Sequence, residues 1–300
     1  MERRHIVWLV VGVTAVSTSA ILIREADARG VSSLAIAFYR CALASAVLVP
    51  IALVRYRGAL RAMSRAERGL LIAAGLALAL HFVTWISSLS YTSVAASTVL
   101  VQTMPVFVAL AGPLVGERTT PRGWIGIVVA LAGTVVIATA SGVGAGAQPM
   151  LGAALATAGA MFAAIYVLIG RRVRPVVALV PYSASVYLVA AVALGIAMAV
   201  SGTPFGGYSS AVWALFLAMT IGPQFLGHTV INHLLGELKA SIVSVALLAE
   251  AVGATVLAFA VFGERPGLQV VVGGAIVLAG VTVTILAEAA DRPDVVETDL

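Results

Sequence analysis

The chain has 300 residues, of which 61% are hydrophobic and only 10% are charged, and its mean hydropathy is +1.08. A soluble domain carries roughly 25% charged residues, so this composition excludes a protein whose surface is covered by water. The net charge of +5 comes from arginines scattered between apolar runs. Because they form no basic face with interleaved aromatic residues, the charge argues against a nucleic-acid partner. The single cysteine, Cys41, excludes an intramolecular disulfide and a cysteine-rich metal site.

Ten apolar runs are long enough to cross the hydrocarbon core, which requires about 20 residues in a helix. In chain order they cover residues 6–23, 32–54, 69–90, 93–115, 123–140, 150–170, 178–200, 211–233, 239–262 and 268–288. The first run follows Arg3 and Arg4 and therefore resembles a signal peptide, but the nine runs after it favour an uncleaved first span. The sequence predicts an all-α integral membrane protein with ten transmembrane helices.

Basic residues lie mostly on one side of the predicted membrane. With the N-terminus in the cytoplasm, 14 of the 18 lysines and arginines fall in inner segments. The outer segments contain only Arg24, Arg29 and Arg265, and Arg40 lies inside a span. Because cytoplasmic loops carry the excess of basic residues, we expect both termini in the cytoplasm and the protein in the plasma membrane.

An internal repeat relates the two halves of the chain. Gly116-Glu117-Arg118 and Leu131-Ala132-Gly133 recur 147 residues later as Gly263-Glu264-Arg265 and Leu278-Ala279-Gly280, with seven of eighteen positions identical. The topology places Arg118 inside and Arg265 outside, so the two copies have opposite orientations. We predict two inverted five-helix repeats, residues 1–140 and 150–288, with a linker at 141–149 and an acidic cytoplasmic tail at 289–300. Inverted repeats are typical of secondary transporters.

Three segments resemble the EamA-type proteins of the drug/metabolite transporter superfamily. They are Phe38-Tyr39-Arg40, the run Val106–Leu110 leading to Gly116-Glu117-Arg118, and Gly227–His233 followed by residues 240–264. The resemblance implies ten helices in two inverted repeats and the export of small metabolites. The chain departs from many members where Ala251, not proline, follows Glu250.

Two charged residues are predicted deep in the membrane, where each charge costs roughly 2.5–3.5 kcal/mol. Glu250 lies near the middle of the ninth span, and its repeat counterpart is Thr103. It either couples proton movement to transport or forms a structural pair with Arg40 or His228. Arg40 either binds an anionic group of the substrate or stabilises a neighbouring helix.

Uncharged polar residues suggest the remainder of a substrate site. Gln224, His228 and Asn232 are spaced four residues apart and are predicted on one face of the eighth span. His81 and Trp85 share a face of the third span, and either set serves substrate binding or helix packing. In the fourth span Gln102, Thr103 and Pro105 predict a kink that frees backbone carbonyls.

No zinc-protease, hydrolase or phosphate-loop motif is present in the sequence, so direct ATP hydrolysis is not expected. We predict a secondary transporter without metal or cofactor whose substrate contacts are Arg40, Trp85, Gln102, His228 and Asn232. Glu250 and His81 are the expected proton-coupling residues, so the expected partners are the lipid bilayer, a small solute and protons. The alternatives are a membrane-embedded enzyme acting on a lipid-linked substrate and a scaffold or sensor. The oligomeric state is left open, a homodimer included.

Overall fold

A computed structural model of the chain describes residues 2–92, 94–140, 148–262 and 267–290. Within these ranges the secondary structure is helical and contains no strand. Nine described helices are long and apolar enough to cross a membrane, and a shorter apolar stretch covers Val99–Val115. The chain is therefore an all-helical integral membrane protein, which confirms that part of the prediction. Residues 141–147 of the predicted linker and 291–300 of the predicted tail lie outside the described ranges.

The helices follow the predicted apolar runs, with short interruptions. The first half contains α1 (Arg3–Ser17), α2 (Ser19–Asp27), α3 (Ser33–Arg55), α4 (Arg57–Ala62), α5 (Arg65–Ser88), α6 (Val94–Val101), α7 (Met104–Ala111) and α8 (Pro121–Ala140). The second half contains α9 (Pro149–Val173), α10 (Leu179–Ser201), α11 (Ser210–Met219), α12 (Val230–Leu234), α13 (Ala240–Ala246), α14 (Glu250–Phe262) and α15 (Leu268–Ala290). The exposed helix α4 lies between the second and third spans, outside the predicted apolar runs.

Polar caps fix where several spans begin. The Ser32 hydroxyl accepts a hydrogen bond from the backbone N–H of Ala35 at the start of α3, at 3.2 Å. At the start of α5, Ser64 and Glu67 satisfy each other's backbone N–H groups. These caps provide partners for N–H groups that the first turn of a helix leaves unpaired.

The spans that carry the predicted site are irregular in the middle. In the fourth span the helix is broken between α6 and α7, at Gln102 and Thr103, with Pro105 in the first turn of α7. This is the predicted interruption, since proline has no N–H to continue the ladder. In the eighth span Thr220–Thr229 forms a π-helix around Pro223, so the chain widens there and stays continuous. A 3₁₀ turn, Leu247–Ala249, precedes Glu250 in the ninth span.

The repeat motif forms the crossing of α8 and α15. A Cβ atom on Gly133 would lie 2.7 Å from the Gly273 carbonyl oxygen, and one on Gly273 would lie 3.0 Å from that of Gly133. Gly126 and Gly280 form the same reciprocal contact, at 2.7 and 2.6 Å. Only glycine permits backbones to approach this closely. At the offset of 147 residues, Gly126 corresponds to Gly273 and Gly133 corresponds to Gly280. The two contacts are therefore equivalent, and the crossing is locally two-fold symmetric.

Buried carboxylates fasten the end of the bundle where the N-terminus lies, which we call the N-terminal face. Glu117 accepts hydrogen bonds from Arg171 Nε at 2.5 Å and from the backbone N–H of Ala240 at 2.8 Å. It therefore joins the end of α9 to the start of α13. The contact with Ala240 provides a partner for a backbone N–H at the start of that helix. Its counterpart Glu264 lies outside the described residues.

Glu288, fully buried near the end of α15, makes the second connection at this face. One carboxylate oxygen accepts the backbone N–H and the hydroxyl of Thr120 at 2.8 and 2.9 Å, and the other lies 3.2 Å from Lys239 Nζ. Between α12 and α13, Glu237 accepts a hydrogen bond from His5 at 2.7 Å. This bond lowers the pKa of Glu237, although partial burial acts in the opposite direction. Five spans are thus tied together at one end.

Candidate functional site

The described helices enclose a cavity of about 90 Å³ beyond the fastened face. Five of the predicted site residues line it: His81, Trp85, Gln102, His228 and Glu250. Apolar side chains of α1, α7 and α9 form much of the remaining wall. Sites for drug-sized ligands usually measure about 300 Å³ or more, so in this conformation the cavity fits only a small solute.

Glu250 contributes the formal charge of the cavity wall among the described lining residues. It begins α14 directly after the 3₁₀ turn, and its backbone carbonyl accepts a hydrogen bond from Ser17 at 3.2 Å. Within the described part of the chain, its half-buried carboxylate has neither an ion pair nor a hydrogen bond. The expected alternative of a structural pair with Arg40 or His228 is therefore not formed in this structure. The carboxylate is open to the cavity and available to a proton or a solute.

His81 and Trp85 lie on one face of α5, as the four-residue spacing predicts. Their rings stack at 5.8 Å between centroids with an interplanar angle of 11°. His81 Nδ1 lies 2.9 Å from the carbonyl oxygen of Gly159 on α9. Because a carbonyl only accepts, Nδ1 carries the proton, and Nε2 is an acceptor in the neutral ring. The imidazole is therefore docked against the neighbouring span in a defined orientation.

His228 enters the cavity from the π-helical segment. Its ring contacts Phe82 edge-on at 5.2 Å and lies 6.2 Å from the Tyr166 ring. Unlike the corresponding atom of His81, its Nδ1 is buried without a hydrogen-bond partner among the described residues. Gln102 Oε1 and Trp85 Nε1 are likewise buried and unpaired in the wall. Three of the six unpaired buried polar side-chain atoms among the described residues thus lie in this wall. Because such atoms are unusual in folded proteins, they indicate a site for a polar ligand.

Arg40 and Asn232 lie outside the cavity lining. The Arg40 side chain is almost fully buried, donates to Gln224 Oε1 at 3.0 Å and to Ser19 Oγ at 3.5 Å, and covers the Phe82 ring at 4.1 Å. Arg40 contacts the cavity only indirectly, because its hydrogen-bond partner Ser19 lines the cavity wall. In this structure Arg40 contacts three other spans through Gln224, Ser19 and Phe82, while its Nη2 is buried without a hydrogen-bond partner among the described residues.

Asn232 lies behind Tyr166 in the wall. Its side-chain oxygen accepts a hydrogen bond from the Tyr166 hydroxyl, and its amide nitrogen lies 3.4 Å from the hydroxyls of Ser183 and Tyr187. The predicted stripe therefore does not form one surface of the site. Gln224 accepts a hydrogen bond from Arg40, His228 lines the cavity, and Asn232 accepts a hydrogen bond from Tyr166.

The cavity residues are related by the repeat. Residue pairs separated by 147 positions line it together: Ser19 with Tyr166, His81 with His228, and Val101 with Leu248. The pairing of the histidines could have been found in the sequence, because His81 and His228 are separated by the same 147 residues as the two Gly-Glu-Arg motifs. We did not apply this offset to the histidines. Ser19 and Ser244 also line the cavity and were not predicted as site residues, since serine is common in apolar spans.

Within the described ranges, no group of three or more His, Cys, Asp or Glu side chains is placed to hold a metal ion. The fold and the site define a polytopic helical membrane protein with a small cavity whose mainly apolar wall carries a few polar groups. The EamA-like transporter family matches the chain twice, over residues 3–139 and 150–286. Both the starts and the ends of these matches are 147 residues apart, the offset of the sequence repeat. The chain belongs to this family of membrane transporters, which confirms the resemblance seen in the sequence.

The comparison with solved structures agrees on the fold. One crystal structure superposes with a TM-score of 0.80 over 97% of this chain and 100% of the other, at 20% sequence identity. Its title gives no activity, and at this identity the similarity concerns the fold alone. No curated protein sequence matches the chain.

Proposed function

We propose that this protein is a secondary active transporter that exports a small polar or amphipathic metabolite, such as an amino acid, by alternating access. The observation that carries the proposal is the cavity lined by counterpart residues of the two repeats, His81 with His228 among them. In transporters built from repeats, the substrate site lies at the repeat interface. The cavity volume of about 90 Å³ supports a small substrate.

The proposed architecture has two inverted five-helix repeats, residues 1–140 and 150–288, in the plasma membrane. The reciprocal glycine contacts of α8 and α15 support a two-fold relation between the copies. The distribution of arginines supports cytoplasmic termini, and with them a cytoplasmic N-terminal face. The contacts of Glu117, Glu237 and Glu288 would close this face, so they must break when the cavity opens to the cytoplasm.

In this proposal Trp85, Gln102 and His228 contact the substrate directly, because they line the cavity and carry unpaired polar atoms. Arg40 and Asn232 act one layer behind them and position Ser19 and Tyr166.

Protons are the proposed coupling ion, and Glu250 is the proposed carrier. Its carboxylate is unpaired in the described part of the chain and faces the cavity that also holds His81 and His228. Arg40 lies within electrostatic range of it without forming an ion pair. A carboxylate that exchanges a proton for the substrate must be free of permanent partners, and Glu250 meets this condition.

The test uses purified protein in liposomes with isotopically labelled amino acids as the probe. We expect counterflow of unmodified amino acid, accelerated by an imposed pH gradient. Glu250→Gln should retain exchange but lose its dependence on pH, whereas Glu25→Gln, at a half-exposed site on α2, should behave like the wild type. Flux that ignores the gradient would contradict proton coupling. Chemical conversion of the probe would contradict transport, and absence of flux would contradict an amino acid as substrate.

A further inference from the structure

The two repeat-related histidines of the cavity are in different states. His81 donates from Nδ1 to the carbonyl of Gly159, whereas His228 Nδ1 has no partner among the described residues. The counterpart of Gly159, 147 residues earlier, is Gly12 on α1. The repeat therefore contains a second glycine carbonyl for the second histidine, and this structure leaves that hydrogen bond unmade.

The two glycines occupy corresponding crossing points. A Cβ atom on Gly159 would lie 3.1 Å from Trp85 and 3.3 Å from Thr84, which places α9 tightly against α5. A Cβ atom on Gly12 would lie 3.4 Å from Val230 and 3.9 Å from Ile231, the counterpart of Thr84. The second crossing thus shares one pair of corresponding residues with the first and is looser.

Helix geometry accounts for the difference between the histidines. His228 lies in the π-helical segment Thr220–Thr229, whereas the corresponding residues of α5, 73–82, are regular α-helix. A π-turn contains one residue more than an α-turn and rotates the side chains that follow it. Conversion of the segment to α-helix would rotate His228 relative to α1 and change its position toward Gly12.

We propose that His81 and His228 exchange roles during the transport cycle. In each state one histidine docks on a glycine carbonyl of the opposite repeat and holds that pair of spans, while the other presents its unpaired imidazole to the substrate. The present structure has His81 docked and its N-terminal face fastened; the opposite state has His228 docked on Gly12 and His81 released. This inference rests on the proposed alternating access and assigns the positioning residues that accompany it.

Phe82 is placed to link the two states. It is fully buried and contacts both rings, with centroid separations of 5.1 Å to His81 and 5.2 Å to His228. Arg40 covers the same ring at 4.1 Å. Rotation of either imidazole therefore changes the space that is left for the other.

The test measures cavity access from each face of oriented vesicles. Ser244→Cys places a thiol in the cavity wall, in a Cys41→Ala background, and membrane-impermeant thiol reagents are added from one side at a time. His81→Leu removes the hydrogen bond to Gly159 that holds the present state. Labelling from the N-terminal face should therefore rise by about fivefold, the change in an equilibrium that one hydrogen bond of ordinary net strength produces. His228→Leu should shift labelling in the opposite direction by a similar factor.

Conservative variants separate positioning from folding. His81→Gln and His228→Gln retain a side-chain N–H donor and should keep labelling close to that of the wild type. A shift in the same direction for both leucine variants, or no shift in either, would overturn the exchange of roles. If wild-type protein is labelled from one face only under all conditions, alternating access itself fails. If wild-type protein is labelled from both faces and the leucine variants are labelled like the wild type, alternating access is supported and the exchange of roles between the histidines is refuted.

Discussion

The contact of Glu288 with the start of α8 gives the sharpest test of what holds the N-terminal face together. Glu288→Gln keeps the size of the side chain but replaces one carboxylate oxygen with an N–H₂ donor. In either orientation that donor meets another donor, because the two oxygens are bound by Thr120 and by Lys239. The substitution therefore removes one contact and the charge at a fully buried position.

The expected cost follows from the contacts that are lost. A hydrogen bond to a charged group contributes about 1.5–3 kcal/mol, and breaking a buried ion pair typically costs about 3–5 kcal/mol. Because glutamine retains one acceptor contact, we expect Glu288→Gln to lower the free energy of unfolding by about 2–4 kcal/mol. The measurement is reversible denaturant unfolding in mixed micelles, followed by circular dichroism.

Glu67→Gln is the matched control, since it makes the same substitution at an exposed helix start. Glutamine also completes a capping box, so the change there should stay below about 0.5 kcal/mol. A loss for Glu288→Gln no larger than that of the control would refute the reasoning. A double-mutant cycle with Lys239→Met should give a coupling energy of about 1 kcal/mol or more. Coupling near zero would assign the whole loss to the Thr120 contacts.

Three further predictions concern packing, pH and the buried arginine. Gly133→Ala places a methyl group 2.6 Å from a backbone nitrogen of α15 and should cost about 1–3 kcal/mol of unfolding free energy, whereas Gly69→Ala, where the space is open, should be neutral or stabilising. The lowered pKa of Glu237 stabilises the fold above the ordinary glutamate value of about 4.3, and this contribution is lost as pH falls through the lowered pKa. Melting curves from pH 7 to pH 3 should therefore show an acid decline that Glu237→Gln reduces, and equal declines would contradict the assignment. Arg40→Lys keeps the charge but loses the planar contact with Phe82 and the geometry of the hydrogen bond to Gln224. The free energy of unfolding should therefore fall by about 2–4 kcal/mol. An unchanged midpoint of denaturant unfolding would contradict a structural role.

The sequence predicts the course of the chain well because lipid leaves the backbone few choices. Every backbone polar group must be bonded within the membrane, so long apolar runs become helices. The break at Gln102 and Thr103 was also predictable, since Pro105 cannot continue the ladder. Helix α4 was not predicted, because its six residues are too few to show a periodic apolar pattern.

The sequence predicted part of the cavity lining but not its geometry, since Arg40 and Asn232 lie outside it and Ser19 and Ser244 were not predicted. Glu250 and His81 were identified by burial of titratable groups in apolar spans, a property of the local sequence. The π-helix that carries His228 was not predicted, because nothing in the residue spacing distinguishes a π-turn from an α-turn around Pro223. The position of Arg40 behind Ser19 depends on how four spans meet, which a single sequence does not contain.

The asymmetry of the repeats has a physical reason. His81 and His228 are counterparts, whereas Glu250 corresponds to Thr103 and Arg40 corresponds to Tyr187. Tyr187 is neutral and bonded to Thr229 at 3.0 Å, so the second copy satisfies this position without charge. Duplicating both charges would add roughly 5–7 kcal/mol at about 2.5–3.5 kcal/mol each, a large part of the 5–15 kcal/mol that stabilises a typical domain. Histidines can be neutral and are duplicated, while Arg40 and Glu250 each occur in one copy only. If Glu250 alone carries the proton, as we propose, coupling is limited to one proton per cycle, and a measured ratio of two protons per substrate would exclude Glu250 as the sole carrier.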